Sequence, residues 1–195
     1  MSTQIQKARQ GVVTPEMIEV ARNENVDASW LRQQVAEGRI VIPKNINHNF
    51  SPRGVGAGLK TKVNANIGTS EKHFNFTEEL DKMRIATQYG ADAIMDLSTG
   101  GDLHKILREI VEQSPVMVGT VPIYGVATRL LRNGEGIAQL NPEELFAEIE
   151  HQAKIGVDFM TLHCGVTRTS LAFLEGDKRV CGIVSRGGAL IKRWM

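Results

Sequence analysis

Two asparagines stand two residues apart in an apolar stretch, Val63-Asn64-Ala65-Asn66-Ile67, and Gly68-Thr69-Ser70 follows at once. Asn is disfavoured in strands, and at strand spacing both amides point to one side, inward on this reading. A buried amide must find partners, so the pair serves either an internal network or a ligand. The glycine and hydroxyls at the exit favour a ligand. Ser98-Thr99-Gly100-Gly101-Asp102 ends a second apolar run. Its glycines allow close backbone approach, and the helix that follows would offer free amides to an anion. Equally, Asp102 can be a plain helix cap whose carboxylate repels phosphate. Ser185-Arg186-Gly187-Gly188 is the better anion site, because Arg186 adds a fixed charge with bidentate geometry beside glycines and fresh amides. The alternative there is a simple turn with a surface arginine. Tyr124 and His163 are single residues at strand tips, where packing or a structural hydrogen bond is the ordinary role. Their weight comes from recurrence: Asn66, Met95 and Tyr124 fall at 29-residue intervals, each near the same point of its unit. There is no HExxH, phosphate-binding P-loop or cysteine cluster. Residue types and spacing thus reach a site for a small anionic ligand and no particular reaction.

The elements that must position these residues follow from hydrophobic pattern. Five short apolar runs, Val63–Ile67, Ala93–Leu97, Val116–Val121, Phe159–His163 and Val180–Ser185, recur at roughly twenty to forty residues. The gaps accommodate helices. Thr77 is expected to cap one that ends at Gly90. Asp102 caps a second, with Leu103, Ile106, Leu107, Ile110 and Val111 on one face and a stop at Ser114-Pro115. Asn141-Pro142-Glu143-Glu144 opens a third that runs to Gly156, and a further helix is expected over 189–195. Strand–helix–strand repetition implies a parallel sheet with crossovers. No GxGxxG follows Val63–Ile67, so a doubly wound dinucleotide fold is disfavoured. The expected fold is α/β, a (β/α)8 TIM-type barrel in which polar tips gather round one mouth. The chain would hold an N-terminal segment and the first five strands, stopping at Met195 before closure. Residues 1–60 read as an appended unit: Thr14-Pro15 opens a helix to Glu24, Asp27 opens another to Gly38, Ile40–Ile42 is a brief strand, and a mobile loop rich in Asn, Gly and Pro leads to the barrel portion at 61–195.

Bulk properties narrow the class. Lys plus Arg number 23 against 22 Asp plus Glu, leaving +1, and no charged block suggests nucleic acid or an acidic membrane as partner. Apolar runs are far too short to span a bilayer, and the N-terminus lacks a signal core, so a cytoplasmic protein is expected. Cys164 and Cys181 form no CxxC pair and read as two buried thiols.

The strings KVNANIGTS, ADAIMDLSTGGD, PVMVGTVPIY, GVDFMTLHCGV and GIVSRGG, with ARQGVVTPEM and GRIVIPKNINHN before them, resemble the successive motifs of the phosphomethylpyrimidine synthase (ThiC) family from Ala8 to Met195. The resemblance implies a radical S-adenosylmethionine lyase on a (β/α)8 barrel, making 4-amino-5-hydroxymethyl-2-methylpyrimidine phosphate from 5-aminoimidazole ribonucleotide for thiamine. It implies a 4Fe–4S cluster, S-adenosylmethionine, a zinc or iron ion and a homodimer. By motif match it places substrate contacts at Asn66, Met95, Tyr124, His163, Ser185, Arg186 and Gly187. The family's DGLR-type loop, two metal-binding histidines and C-terminal CxxCxxxxC are not in this sequence, so the stretch alone is expected to be inactive. Gly125 stands where the family would have Gln, and Arg129–Gln139 looks altered. These departures admit the sister 5-hydroxybenzimidazole synthase, which takes the same substrate, and a non-catalytic ribonucleotide-binding module.

Overall fold

A computed structural model describes residues 2–174 and 180–195. The N-terminal part begins with helices α1 (Gln4–Arg9), α2 (Pro15–Glu24) and α3 (Ala28–Ala36). Each start is capped by a side chain, Thr3, Thr14 and Asp27 in turn, that accepts a first-turn amide. Gly38, at φ 74°, supplies the left-handed turn after α3. These helices close over Met17, Val20, Leu31 and Val35, and strand β1 (Ile40–Val41) adds Ile40 to the same core. The loop beyond it is not the free segment expected. β2 (Val55–Gly56) pairs antiparallel with β1, and residues 45–50 are tied to the main sheet.

That sheet is parallel, in the order β3 (Asn64–Ile67), β4 (Ala93–Asp96), β5 (Met117–Thr120), β6 (Phe159–Met160). The crossovers are α4 (Phe76–Gln88), α5 (Leu103–Gln113) and, between β5 and β6, the pair α6 (Pro122–Arg132) and α7 (Pro142–Ile155). The α/β class and the parallel sheet stand as read. The sheet is open among the described residues, and the fifth run, at 180–185, is not a strand there: Val184 is 76% exposed and has no ladder partner. Apolar composition alone cannot make a strand, because the backbone needs a neighbour to bond. His163 likewise lies past β6, in a loop. Helix α4 is capped by Asn75, which accepts from the Thr77 and Glu78 amides, and not by Thr77. Short α8 (Arg168–Ala172) precedes α9 (Arg186–Trp194), which starts three residues before the expected point and so takes Gly187 and Gly188 into its first turn. Both cysteines are exposed, contrary to the buried thiols expected.

Register sorts the side chains into two faces. Ile67, Ile94 and Val118 point to the helices and pack with Leu80, Met83, Ile106, Leu107, Ile110 and Val111. The opposite, inner face carries Asn64, Asn66, Ala93, Met95, Met117, Gly119 and Phe159. At the end where the strands begin, Phe50 from the N-terminal loop packs on Ala93, Met117 and Phe159 and plugs this face.

The plug is held by Asp158, whose side chain is fully buried. Its Oδ1 accepts the Asn45 amide at 2.7 Å; Oδ2 accepts the Val118 amide at 2.8 Å and meets His48 Nδ1 at 2.6 Å. The other ring nitrogen of His48 faces the Ser114 carbonyl at 3.1 Å. The imidazole thus bridges the Asp158 carboxylate to the carbonyl that ends α5, with both ring nitrogens in contact with oxygen. Deleting one partner of such a buried contact leaves a polar group without its hydrogen bond. A His48→Ala variant should lose roughly 1–3 kcal/mol of stability in urea unfolding, with faster hydrogen exchange at the Asn45 and Val118 amides. Unchanged stability would mean that the loop is held by other contacts.

Candidate functional site

The polar tips lie where the strands end. Asn66 and Met95 are direct cross-strand neighbours on the inner face. Asn66 is exposed, not buried as expected, and its Oδ1 accepts from Asn64 Nδ2 at 2.9 Å. The amides point to the predicted side, but that side is open. Met95 is half-buried and shares an apolar cluster with Leu97 and Tyr124. Tyr124 sits in the first turn of α6, a helix opened by Pro122 and packed through Ile123, Val126, Ala127 and Leu130.

Five of the expected residues converge further along. The Arg186 guanidinium lies 5.3 Å from the Tyr124 ring centroid, a cation–π distance. Ser185 caps α9: its Oγ accepts the Gly188 amide at 3.2 Å and lies 3.0 Å from His163 Nε2. A hydroxyl oxygen has two acceptor sites and one donor, so Ser185 can bond the ring in either tautomer while it caps the helix. Gly187 touches the same ring so closely that a Cβ there would collide with it. Glycine at this point is required by the histidine. Arg186 also presents its charge at the start of a nine-residue helix, where unbonded amides and the dipole favour an anion.

A cavity of about 320 Å³ opens here, lined by Ser70, Lys72, Thr99, Tyr124, Thr128 and Arg186 among others. A larger groove of about 730 Å³ runs on the helix side past Gly101, His104, Arg129, Arg132 and Glu148. It contains none of the seven residues placed by motif match, although Gly100, Gly101 and Asp102 of the second tip line it, and most of its charged side chains are already engaged. Arg132 donates to the Gly101 carbonyl (2.7 Å), Arg129 pairs with Glu144 (3.0 Å), and His104 meets Glu148 (3.1 Å). Size alone does not make it the site.

The tip after β4 resolves as a capped turn. The Asp102 carboxylate accepts the Lys105 amide at 3.1 Å, and a Cβ at Gly100 would collide with the Ser70 carbonyl. Its glycines serve loop-on-loop packing. Thr69 Oγ1 donates to the Gly100 carbonyl (2.7 Å), and the Thr99 amide donates to the Thr69 carbonyl (2.9 Å).

Sequence reasoning missed a second polar layer behind these tips. Asp96, on the helix side of the sheet, accepts both the amide and the hydroxyl of Ser98, and Ser98 Oγ accepts the Thr69 amide. Glu79 accepts the Gly68 amide at 2.8 Å and holds Lys82 Nζ at 2.7 Å. Behind β5, Thr120 donates to Gln152 at 2.6 Å and Gln152 to Glu148 at 2.6 Å. The available signals were an acid ending an apolar strand, AIMD, and Glu148 and Gln152 one turn apart on α7.

Burial, aided by the charge of Glu79 and opposed by the Ser98 hydrogen bonds, pushes the Asp96 carboxyl up to about 6. The folded chain therefore binds this proton more tightly than the unfolded chain does. Its stabilising effect is complete below the ordinary aspartate range and is lost as pH rises to about 6. Asp96→Asn keeps the Oδ1 acceptor and removes the ionisation. Unfolding free energies should show the variant gaining on wild type by on the order of 3 kcal/mol between about pH 4 and pH 7. A pH-independent difference would refute a perturbed Asp96.

Among the described residues, no group of three or more His, Cys, Asp or Glu is arranged to hold a metal ion. Two cysteines also fall short of the three or four thiolates an iron–sulfur cluster takes. No helix there is long and apolar enough to cross a membrane.

Comparison with known proteins agrees with this arrangement of motifs. The sequence model of the Radical SAM ThiC family matches residues 3–195. Phosphomethylpyrimidine synthase of Carboxydothermus hydrogenoformans is 53% identical over 194 residues, covering 99% of this chain and 45% of the relative. The enzymes of that name from Thermodesulfovibrio yellowstonii (48% over 193 residues) and Desulfitobacterium hafniense (49% over 194) match to the same extent. The chain thus spans a little under half the length of the curated relatives it matches. With a family match over nearly all its residues, the chain belongs to the Radical SAM ThiC family.

Proposed function

We propose that this chain carries the ribonucleotide-binding strand tips of a phosphomethylpyrimidine synthase. The whole enzyme would convert 5-aminoimidazole ribonucleotide to 4-amino-5-hydroxymethyl-2-methylpyrimidine phosphate, on a (β/α)8 barrel of which β3–β6 are the first strands. The observation that carries this reading is the convergence of Tyr124, His163, Ser185, Arg186 and Gly187 at one mouth of the sheet. The relatives named above carry the pyrimidine synthase name, which favours that product over a benzimidazole.

The roles follow from chemistry. Arg186 and the first amides of α9 hold the phosphate, a dianion matched by a planar cation and a helix N-terminus. Ser185 orients His163 by hydrogen bond, which leaves the other imidazole nitrogen to meet the ribose or the base. Asn66 offers an amide that can both donate and accept from the open inner face. Met95 and Tyr124 form the apolar wall that excludes water. A reductively cleaved S-adenosylmethionine would supply the radical; the residues here bind and orient the molecule it attacks.

Calorimetric titration with 5-aminoimidazole ribonucleotide tests the phosphate assignment. Arg186→Ala should weaken binding roughly tenfold to a hundredfold, the worth of a charged hydrogen-bonding group. Arg129→Ala, in the helix-side groove, should leave it unchanged. Equal affinity of Arg186→Ala and wild type would remove the assignment.

A further inference from the structure

The inner face has a fourth member at the level of the expected contacts. Register aligns Asn66 with Met95, Met95 with Gly119, and Gly119 with Phe159, so the four form one row across β3, β4, β5 and β6. The third position has no side chain. The Phe159 ring fills that place, lying over Gly119 so closely that a Cβ there would collide with it. Strands are about 5 Å apart, so a ring laid back over β5 extends from its own strand toward β4 on the inner face. It is half-buried, with Ala93 and Met117 one inner-face position back and Phe50 packed against it. The ring is thus supported from the plugged end and is not wholly enclosed.

We infer that Phe159 is a specificity-determining residue whose ring forms the floor of the site and stacks on the heterocycle of the ribonucleotide. The inference rests on the proposed substrate class and adds a residue to it. A flat, supported π face in line with an amide donor–acceptor and a thioether suits a planar nitrogen heterocycle. Ribose and phosphate are recognised by polar groups elsewhere, at His163 and Arg186. Phe159 therefore distinguishes ligands that carry the base from ligands that lack it, and Gly119 is the residue that makes room for it.

The test compares 5-aminoimidazole ribonucleotide with ribose 5-phosphate, titrated into the 195-residue chain and two variants. Phe159→Leu preserves apolar filling against Phe50, Ala93 and Met117 but has no π face; Phe159→Ala removes both. Each variant should lose roughly tenfold or more in affinity for the ribonucleotide while its affinity for ribose 5-phosphate changes less than about twofold. Phe159→Leu binding the ribonucleotide like wild type would show that the ring only packs, and would overturn the inference. Equal losses for both ligands would overturn it too, because they would report a collapsed site. Wild type binding neither ligand would refute the proposed substrate, and the role of Phe159 with it. Wild-type binding with an unaffected Phe159→Leu would refute the role of Phe159 alone.

Discussion

Asp158 is the carboxylate on which the geometry of this chain turns. It lies at the entry to β6 and holds three things at once: the backbone of β5 through Val118, the loop through Asn45, and the imidazole of His48. β6 contributes only two residues to the ladder, too few to define its position by backbone pairing alone. The buried His48 contact and the amide bonds of Asp158 complete that alignment. Because His48 is two residues before Phe50, the same contact sets the aromatic plug under the inner face. The site at the far end of the strands thus stands on a floor built by an N-terminal segment more than a hundred residues away in sequence from Asp158.

Above that floor, division of labour between the two sheet faces explains how polar tips survive on a small parallel sheet. The helix side takes the aliphatic residues and also the acids that brace the strand ends: Asp96 through Ser98, Glu79 through the Gly68 amide, Glu148 through Gln152 and Thr120. Buried polar groups are tolerable because each of these is hydrogen-bonded. The inner side is left to side chains with unspent capacity. Asn66 is exposed, and among the described residues Arg186 is held only over a ring. Two glycines shape the inner side by what they omit: Gly119 admits the Phe159 ring, and Gly187 admits the His163 imidazole.

Elements with a local signal were legible in the sequence. Pro15, Asp27, Asp102 and Pro142 mark their helices because capping and proline φ are decided within a few residues, and the bounds agree closely. The four paired strands also appear where apolar runs stand, since burial between helices needs such composition. What failed depends on distant partners. The run at 180–185 has strand composition but no neighbour among the described residues to bond. Asn64 and Asn66 face the predicted side, yet how far that side is covered is a tertiary matter. Helix α6 carries a local signal in Pro122 and the spacing of Ile123, Val126, Ala127 and Leu130, but Val-Pro-Ile-Tyr equally suits the polar tip of the preceding strand. The bracing acids were invisible for the same reason as the Asp158 hub: each pairs with a group from another element.

The central claim is that the mouth formed by Tyr124, His163 and the start of α9 receives the phosphate end of a ribonucleotide. A crystal structure of the chain soaked with 5-aminoimidazole ribonucleotide examines it directly. The phosphate oxygens should lie about 3 Å from the Arg186 guanidinium and from the first amide nitrogens of α9. A phosphate seated between Arg129 and Arg132 in the helix-side groove, with the inner face vacant, would contradict the account.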